Sequence, residues 1–140
     1  MRVVLAEDSV LLREGIARLL TEAGLEVVGQ AGDAEDLLRK VNAHKPDVAI
    51  VDVRMPPTHT DEGLRAATEI RERFPDTGVL VLSQYVEEAY ALELFNDGAD
   101  GLGYLLKDRV GDLERFVESV QRVGEGGSAP LPGGCARGAR

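Results

Sequence analysis

Short runs of residues that are apolar at every position recur along this chain, and they limit its fold more than any other feature. Residues 3–6, 48–51 and 79–82 contain only valine, leucine, isoleucine and alanine. A strand with one face in water would instead alternate between apolar and polar side chains. Runs without alternation indicate strands buried on both faces, which predicts a parallel sheet covered by helices.

Helical patterns lie between these strands. Apolar residues recur at intervals of three and four after the first strand until Gly24, and again after Asp33, a residue suited to cap a helix. Pro46 and Pro75 end the second and third patterns, and we expect Asp108 to cap the fifth helix. The residues predicted to face the core are Leu12, Ile16, Leu19, Leu20 and Ala23, then Ala34, Leu37, Leu38 and Val41, then Leu64, Ala67, Ile70 and Phe74, then Ala89, Leu92 and Phe95, and finally Leu113, Phe116, Val117, Val120 and Val123.

Residues 25–31 and 101–106 complete the pattern as the second and fifth strands. Five strand–helix units predict an α/β fold of the flavodoxin-like type, a doubly wound five-stranded parallel sheet in the order 2-1-3-4-5 with helices on both faces. In that order the ends of the first and third strands lie side by side, at the position where such sheets bind ligands.

Composition limits the domain count and the class of partner. The chain has 140 residues, enough for one domain, and its 44% apolar and 4% aromatic content predicts an aliphatic core. With 25 acidic and 16 basic residues its formal charge is −9, which argues against binding of nucleic acid or an anionic membrane by this chain itself. From residue 125 onward, sixteen residues include five glycines and two prolines. We therefore expect a domain over residues 1–124 and a flexible tail or linker over residues 125–140.

The cellular compartment follows from what the sequence does not contain. No apolar run approaches the roughly 20 residues of a membrane-spanning helix, and Arg2 leads straight into a strand without a secretory leader. The single cysteine, Cys135, cannot form an intramolecular disulfide. These features predict a cytoplasmic protein.

Polar residues that could carry chemistry stand where the apolar strands end. Glu7 and Asp8 follow the first strand, Asp52 the third, Ser83 the fourth and Lys107 the fifth. Because the carboxyl ends of parallel strands meet at one edge of the sheet, we expect these side chains to converge. Each acidic residue taken alone could simply cap the helix that follows it. The combination favours a shared site.

Three neighbouring carboxylates repel one another unless a proton or a cation intervenes. Mg²⁺ suits such a site because it prefers oxygen ligands and also keeps waters and phosphate oxygens in its shell. We expect Asp8 and Asp52 each to contribute a carboxylate oxygen, Arg54 its backbone carbonyl, and Glu7 to act through a water. His44 and His59 have no metal-ligand partners at useful spacing, and no nucleophilic triad, glycine-rich phosphate loop or zinc motif is present.

The segments VVLAEDSVLLREGI, PDVAIVDVRMP, VLVLSQY and GYLLKD contain these residues. Together they resemble the receiver domain of two-component response regulators, and their sequence motifs are most similar to those of the NarL/FixJ (LuxR-type) subgroup. The resemblance extends over residues 2 to about 124. It implies a phosphorylatable signalling switch in the cytoplasm, which is not a turnover enzyme.

The resemblance also implies roles for individual residues. Asp52 would accept a phosphoryl group from a sensor histidine kinase, with Asp8 as the direct Mg²⁺ ligand beside Glu7. Phosphorylation would then change the face formed by the fourth helix, fifth strand and fifth helix. In a full-length regulator this change would control transcription, and it could also cause two copies of the chain to dimerise. Ser83 would be the switch hydroxyl and Lys107 the lysine that binds the phosphoryl group. Tyr104 would be the aromatic residue that turns inward on activation.

The sequence departs from the family pattern in three places. The loop over residues 53–62 is about three residues longer than usual, and Asp108 follows Lys107 where many receivers have a proline. The subgroup normally continues into a helix-turn-helix domain, for which residues 125–140 offer no pattern. We therefore expect no DNA binding by this chain itself, and a fragment of a longer regulator is favoured over a receiver that works alone.

Two alternative functions remain open at this point. One is an interaction module of the same fold that works without phosphate. The other is a Mg²⁺-dependent phosphohydrolase, although such enzymes usually have a second aspartate two residues after the nucleophile, where this chain has Arg54.

Overall fold

A computed structural model describes residues 1–53, 62–83, 102–106 and 112–126. Strands and helices alternate over the described residues up to Ser83, as the apolar runs and helical patterns predict. The strands are β1 (Arg2–Ala6), β2 (Glu26–Ala31), β3 (Val48–Asp52), β4 (Gly78–Ser83) and β5 (Leu102–Leu106). The helices are α1 (Val10–Glu22), α2 (Ala34–His44), α3 (Glu62–Arg73) and α4 (Leu113–Gly124), the last being the fifth helix predicted from sequence.

All neighbouring strands are parallel, in the order β2-β1-β3-β4-β5. This confirms the predicted doubly wound sheet. The register brings the carboxyl ends of four strands to one level, because Ala6 pairs with Val51, Asp52 with Leu82, and Ser83 with Leu106. The residues that follow these positions therefore share one edge of the sheet, called the carboxyl edge below.

The sheet separates two apolar layers. Along β1, Val4 and Ala6 belong to the layer that packs under α2 and α3, whereas Val3 and Leu5 belong to the layer under α1 and α4. All four side chains are fully buried. Burial on both faces explains why this strand is apolar at every position.

Most of the predicted helix faces are confirmed. The fully buried helix residues are Ile16, Leu20, Leu37, Val41, Ile70, Phe116, Val120 and Val123. Leu12, Leu19, Ala34, Leu38, Phe74 and Val117 are partly buried against the same layers. The predicted fourth helix, with Ala89, Leu92 and Phe95, lies outside the described residues, as does the side chain of Leu113.

Two predictions about helix ends are wrong. Ala23 does not face the core, because α1 ends at Glu22 and the exposed Ala23 is its C-cap, followed by a turn at Gly24 with φ of 93°. Asp108 does not cap α4, because Asp112 directly precedes the helix and its side chain accepts a hydrogen bond from the backbone N–H of Arg115 at 3.5 Å. The predicted cap Asp33 is confirmed, with a 2.8 Å bond from the N–H of Asp36.

In the part of the chain that the structure describes, no helix is both long enough and apolar enough to span a bilayer.

Candidate functional site

Among the described residues, three carboxylates gather at the carboxyl edge. One oxygen each from Glu7, Asp8 and Asp52 lies within 4.8 Å of the other two. Glu7 is 1% exposed and Asp52 2% exposed, while Asp8 is partly buried. The structure therefore brings together the three acidic residues that the sequence places at strand ends.

The donor set fits a hard divalent cation. Mg²⁺ holds its oxygen ligands at about 2.0–2.1 Å, so two ligands on one ion lie no more than about 4.2 Å apart. The three carboxylate oxygens lie within 4.8 Å of one another. They are therefore close enough to surround one such ion, either as direct ligands or through a water.

The beginning of α1 holds Glu7 in place. The backbone N–H of Ser9 donates to Oε2 of Glu7 at 3.0 Å, and Ser9 caps α1 by accepting from the N–H of Leu12 at 3.3 Å. The N-terminus of a helix carries a partial positive charge that stabilises nearby carboxylates. Arg13, one turn further on, donates from Nη1 to the backbone carbonyl of Glu7 at 2.7 Å.

Backbone hydrogen bonds fix the chain immediately after Asp52. The N–H of Val53 donates to the carbonyl of Leu82 in β4 at 3.0 Å. The carbonyl of Val53 accepts from the N–H of Gly63, in the first turn of α3, at 2.8 Å. The peptide that follows the central carboxylate is therefore held from two neighbouring elements.

Ser83 reaches the same edge from β4. It is the last residue of that strand, lies one position beyond the Leu82 that pairs with Asp52, and is 0% exposed. A hydroxyl at this level can donate to an oxygen atom bound at Asp52.

Other predicted site residues lie outside the described residues. These are Lys107 and Arg54, and Tyr104 is described only by its backbone in β5. His59, to which the sequence assigns no role, also lies outside them. Leu106, which immediately precedes Lys107, pairs with Ser83. His44 ends α2, and its carbonyl accepts from Arg2 at the start of β1, at the sheet edge opposite the carboxylates.

Sequence reasoning missed three residues that organise this site. Ser9 could have been found, because a serine directly before a helical pattern is a common N-cap. The bond from Arg13 to Glu7 and the contact of Gly63 with the end of β3 both depend on how separate elements pack. No local sequence pattern predicts these two contacts.

Chemically, the arrangement combines a buried carboxylate, two further acidic groups able to hold a cation, and a hydroxyl donor. A carboxylate beside a bound Mg²⁺ can act as a nucleophile toward phosphorus, because the cation neutralises charge on the phosphoryl oxygens. The site is therefore suited to accept a phosphoryl group.

Comparison with known proteins agrees with this chemistry. The family model of the response regulator receiver domain matches residues 3–121. Oxygen regulatory protein NreC of Staphylococcus haemolyticus is 39% identical over 127 residues, covering 90% of this chain and 56% of that protein. Transcriptional regulatory protein DegU of Brevibacillus brevis is 36% identical over 129 residues, covering 91% of this chain and 52% of that protein. The chain thus spans about half the length of these two relatives.

A solved structure extends the likeness to three dimensions. The signal receiver domain of the putative response regulator NarL from Mycobacterium tuberculosis superposes with a TM-score of 0.76 at 36% sequence identity. The match covers 89% of this chain and 96% of that one.

Proposed function

This chain belongs to the response regulator receiver family of two-component signalling, and from that premise we infer that Asp52 accepts a phosphoryl group from a sensor histidine kinase in a Mg²⁺-dependent reaction. The observation that carries the inference is the cluster of buried Glu7, partly buried Asp8 and buried Asp52, with carboxylate oxygens within 4.8 Å of one another. Receiver domains are not conventional enzymes, and Asp52 is here both the reacting group and the site of the product.

Phosphoryl transfer needs an attacking oxygen in line with the bond that breaks. An oxygen of Asp52 attacks the phosphorus of the donor's phosphohistidine. The O–P bond forms while the N–P bond breaks, and the imidazole leaves as a neutral ring because its other ring nitrogen already carries a proton. Asp52 is fixed for this step by the backbone bonds of Val53 to β4 and α3, which limits the reorganisation needed at the moment of attack.

The acidic pair and the lysine supply the electrostatic part of the reaction. Asp8, Asp52 and the backbone carbonyl of Arg54 would hold Mg²⁺, with Glu7 acting through a water. When bound, the cation neutralises charge on the transferring phosphoryl group. Lys107 directly follows β5 in the chain and would add a second positive charge to the same oxygens.

The phosphorylated carboxylate then provides a contact that is absent before transfer. Its dianionic oxygens accept a hydrogen bond from Ser83, which draws the end of β4 toward the site. Tyr104 would turn inward into the space that this movement opens. Since these contacts exist only in the phosphorylated protein, they shift an equilibrium between two conformations.

The surface that responds is the face formed by the predicted fourth helix, β5 and α4. A change there can control an output domain or pairing with a second copy of the chain. We place the receiver at residues 1–124 and a linker at residues 125–140, with transcription regulation as the output of a full-length protein. The likeness to DegU, a transcriptional regulatory protein matched over about half its length, supports this assignment.

The test is an intact-protein mass spectrum after incubation with acetyl phosphate, with Mg²⁺ or with EDTA. We expect one phosphoryl adduct on the wild type with Mg²⁺, none with EDTA and none on Asp52→Ala. Asp47→Ala is the matched control, because Asp47 is an exposed aspartate at the opposite sheet edge.

Other outcomes would replace this function with an alternative. Continuous release of inorganic phosphate without a retained adduct would indicate a phosphohydrolase. No adduct on a folded wild type would indicate an interaction module that works without phosphate.

A further inference from the structure

Gly63 lies in close contact with the backbone at the site. A Cβ placed on this residue would lie 1.8 Å from the carbonyl oxygen of Asp52, 2.7 Å from its carbonyl carbon and 2.8 Å from the carbonyl oxygen of Val53. All three neighbours are main-chain atoms, which cannot rotate away as a flexible side chain could. Any other amino acid must therefore move either the end of β3 or the first turn of α3.

The same residue also binds the chain that it touches. The N–H of Gly63 donates to the carbonyl of Val53 at 2.8 Å, while the N–H of Val53 is held by Leu82 at 3.0 Å. Val53 itself is buried. The backbone that follows Asp52 is thus held by β4 on one side and by α3 on the other.

We propose that Gly63 is a positioning residue for the phosphoacceptor. By lacking a side chain it allows α3 to rest directly on the carbonyl of Asp52, and by its N–H it orients the Val53 carbonyl. Together these contacts hold the Asp52 carboxylate against Glu7 and Asp8. The proposal rests on the function assigned above, and it adds a residue whose contribution lies in the backbone alone.

A second glycine provides a matched control. A Cβ on Gly78 would lie 2.3 Å from the carbonyl oxygen of Val123, so this glycine is also enclosed by backbone. Its N–H likewise donates to a carbonyl, that of Asp47, at 2.9 Å. Gly78 begins β4, at the end of the strand away from the carboxylates. Gly15, where a Cβ would meet nothing within 4 Å, controls for the added methyl group itself.

The experiment compares Gly63→Ala, Gly78→Ala and Gly15→Ala by three measurements. These are the free energy of unfolding in denaturant, the Mg²⁺ dissociation constant, and the hydrogen-exchange rate of the Val53 amide without metal. We expect Gly63→Ala and Gly78→Ala both to lose stability. Only Gly63→Ala should weaken Mg²⁺ binding, by roughly 10- to 100-fold as for other residues that support metal ligands, and only it should speed exchange at Val53.

Equal Mg²⁺ affinity in Gly63→Ala and Gly78→Ala, with equal exchange at Val53, would overturn the proposal, because a merely structural glycine affects stability alone. If Gly63→Ala does not fold, amide exchange of the wild type with and without Mg²⁺ tests the proposal instead. Mg²⁺ should then slow amide exchange at Gly63 more than at Gly78, and equal slowing at both would contradict the proposal.

These outcomes are separable from failure of the proposed function. A wild type that takes no phosphoryl group refutes phosphorylation of Asp52. The exchange rate of Val53 in the metal-free variants still reports whether Gly63 positions that segment.

Discussion

Charged side chains are arranged differently at the two edges of the sheet. At the amino edge, where the strands begin, the carboxylate of the exposed Asp47 accepts from the backbone N–H of Arg2 at 2.8 Å, and the Arg2 guanidinium donates to the carbonyl of His44 at 2.7 Å. At the carboxyl edge, Glu7 and Asp52 are buried beside Asp8, so that like charges are gathered rather than separated.

This difference suggests that the residues that stabilise the fold and the residues that bind a ligand lie at opposite edges of the same sheet. Exposed charges that meet polar backbone groups cost little and stabilise modestly. Carboxylates gathered at one position repel one another, and such a local conflict is expected where a ligand resolves it. The amino edge therefore serves mainly the fold, and we propose that the carboxyl edge serves ligand binding.

The largest expected effect is on metal binding. Asp8→Asn removes a proposed direct ligand, and we expect Mg²⁺ affinity to fall by at least about 100-fold, the upper range for loss of a supporting residue. Asp47→Asn makes the same chemical change at the amino edge and should leave affinity unchanged. Isothermal titration with Mg²⁺ measures both. Similar losses in the two variants would mean that general surface charge, and not the cluster, attracts the ion.

The next effect is on stability without metal. Asp52→Asn removes one of three neighbouring charges, and at an effective dielectric near 20 like charges about 5 Å apart repel by roughly 3 kcal/mol. We expect the free energy of unfolding in EDTA to rise by about 1–3 kcal/mol. Asp47→Asn, which keeps an acceptor for the N–H of Arg2, should change it by less than about 0.5 kcal/mol. A loss of stability in Asp52→Asn would show that the cluster is not repulsive.

The smallest expected effect distinguishes an aspartate that caps a helix from an aspartate proposed to bind the metal, both at the carboxyl edge. Asp33 follows β2 as Asp8 follows β1, but its side chain caps α2 through the N–H of Asp36 at 2.8 Å. Asp33→Ala should lower the free energy of unfolding by about 1 kcal/mol and leave Mg²⁺ affinity intact. Chemical denaturation and metal titration of the same variant provide the test, and a fall in affinity would extend the site to β2.

Periodicity predicted the parts of the structure that depend on which face a residue presents. Unbroken apolar runs placed Glu7, Asp8, Asp52 and Ser83 at one edge, because each of these polar residues stands where a buried apolar run ends. That edge could be inferred without knowing any distance between the residues. The chemistry of the cluster followed from its carboxylates.

The remaining features depend on packing between distant segments. The approach of Gly63 to Asp52 is set by where α3 docks on the sheet, and the reach of Arg13 to the Glu7 carbonyl depends on the placement of α1. The cap of α4 was predicted wrongly because two aspartates, Asp108 and Asp112, precede the helical pattern, and the helix begins directly after Asp112.

We propose above all that the buried carboxylate of Asp52 is the phosphorylated group. Reduction of the phosphorylated wild type with borohydride converts an aspartyl phosphate to homoserine, and peptide mass spectrometry then locates the change. We predict homoserine at position 52 alone, formed only when Mg²⁺ was present during phosphorylation. Homoserine at another aspartate such as Asp47, or a phosphoryl group that resists reduction because it sits on a hydroxyl or an imidazole, would contradict the account.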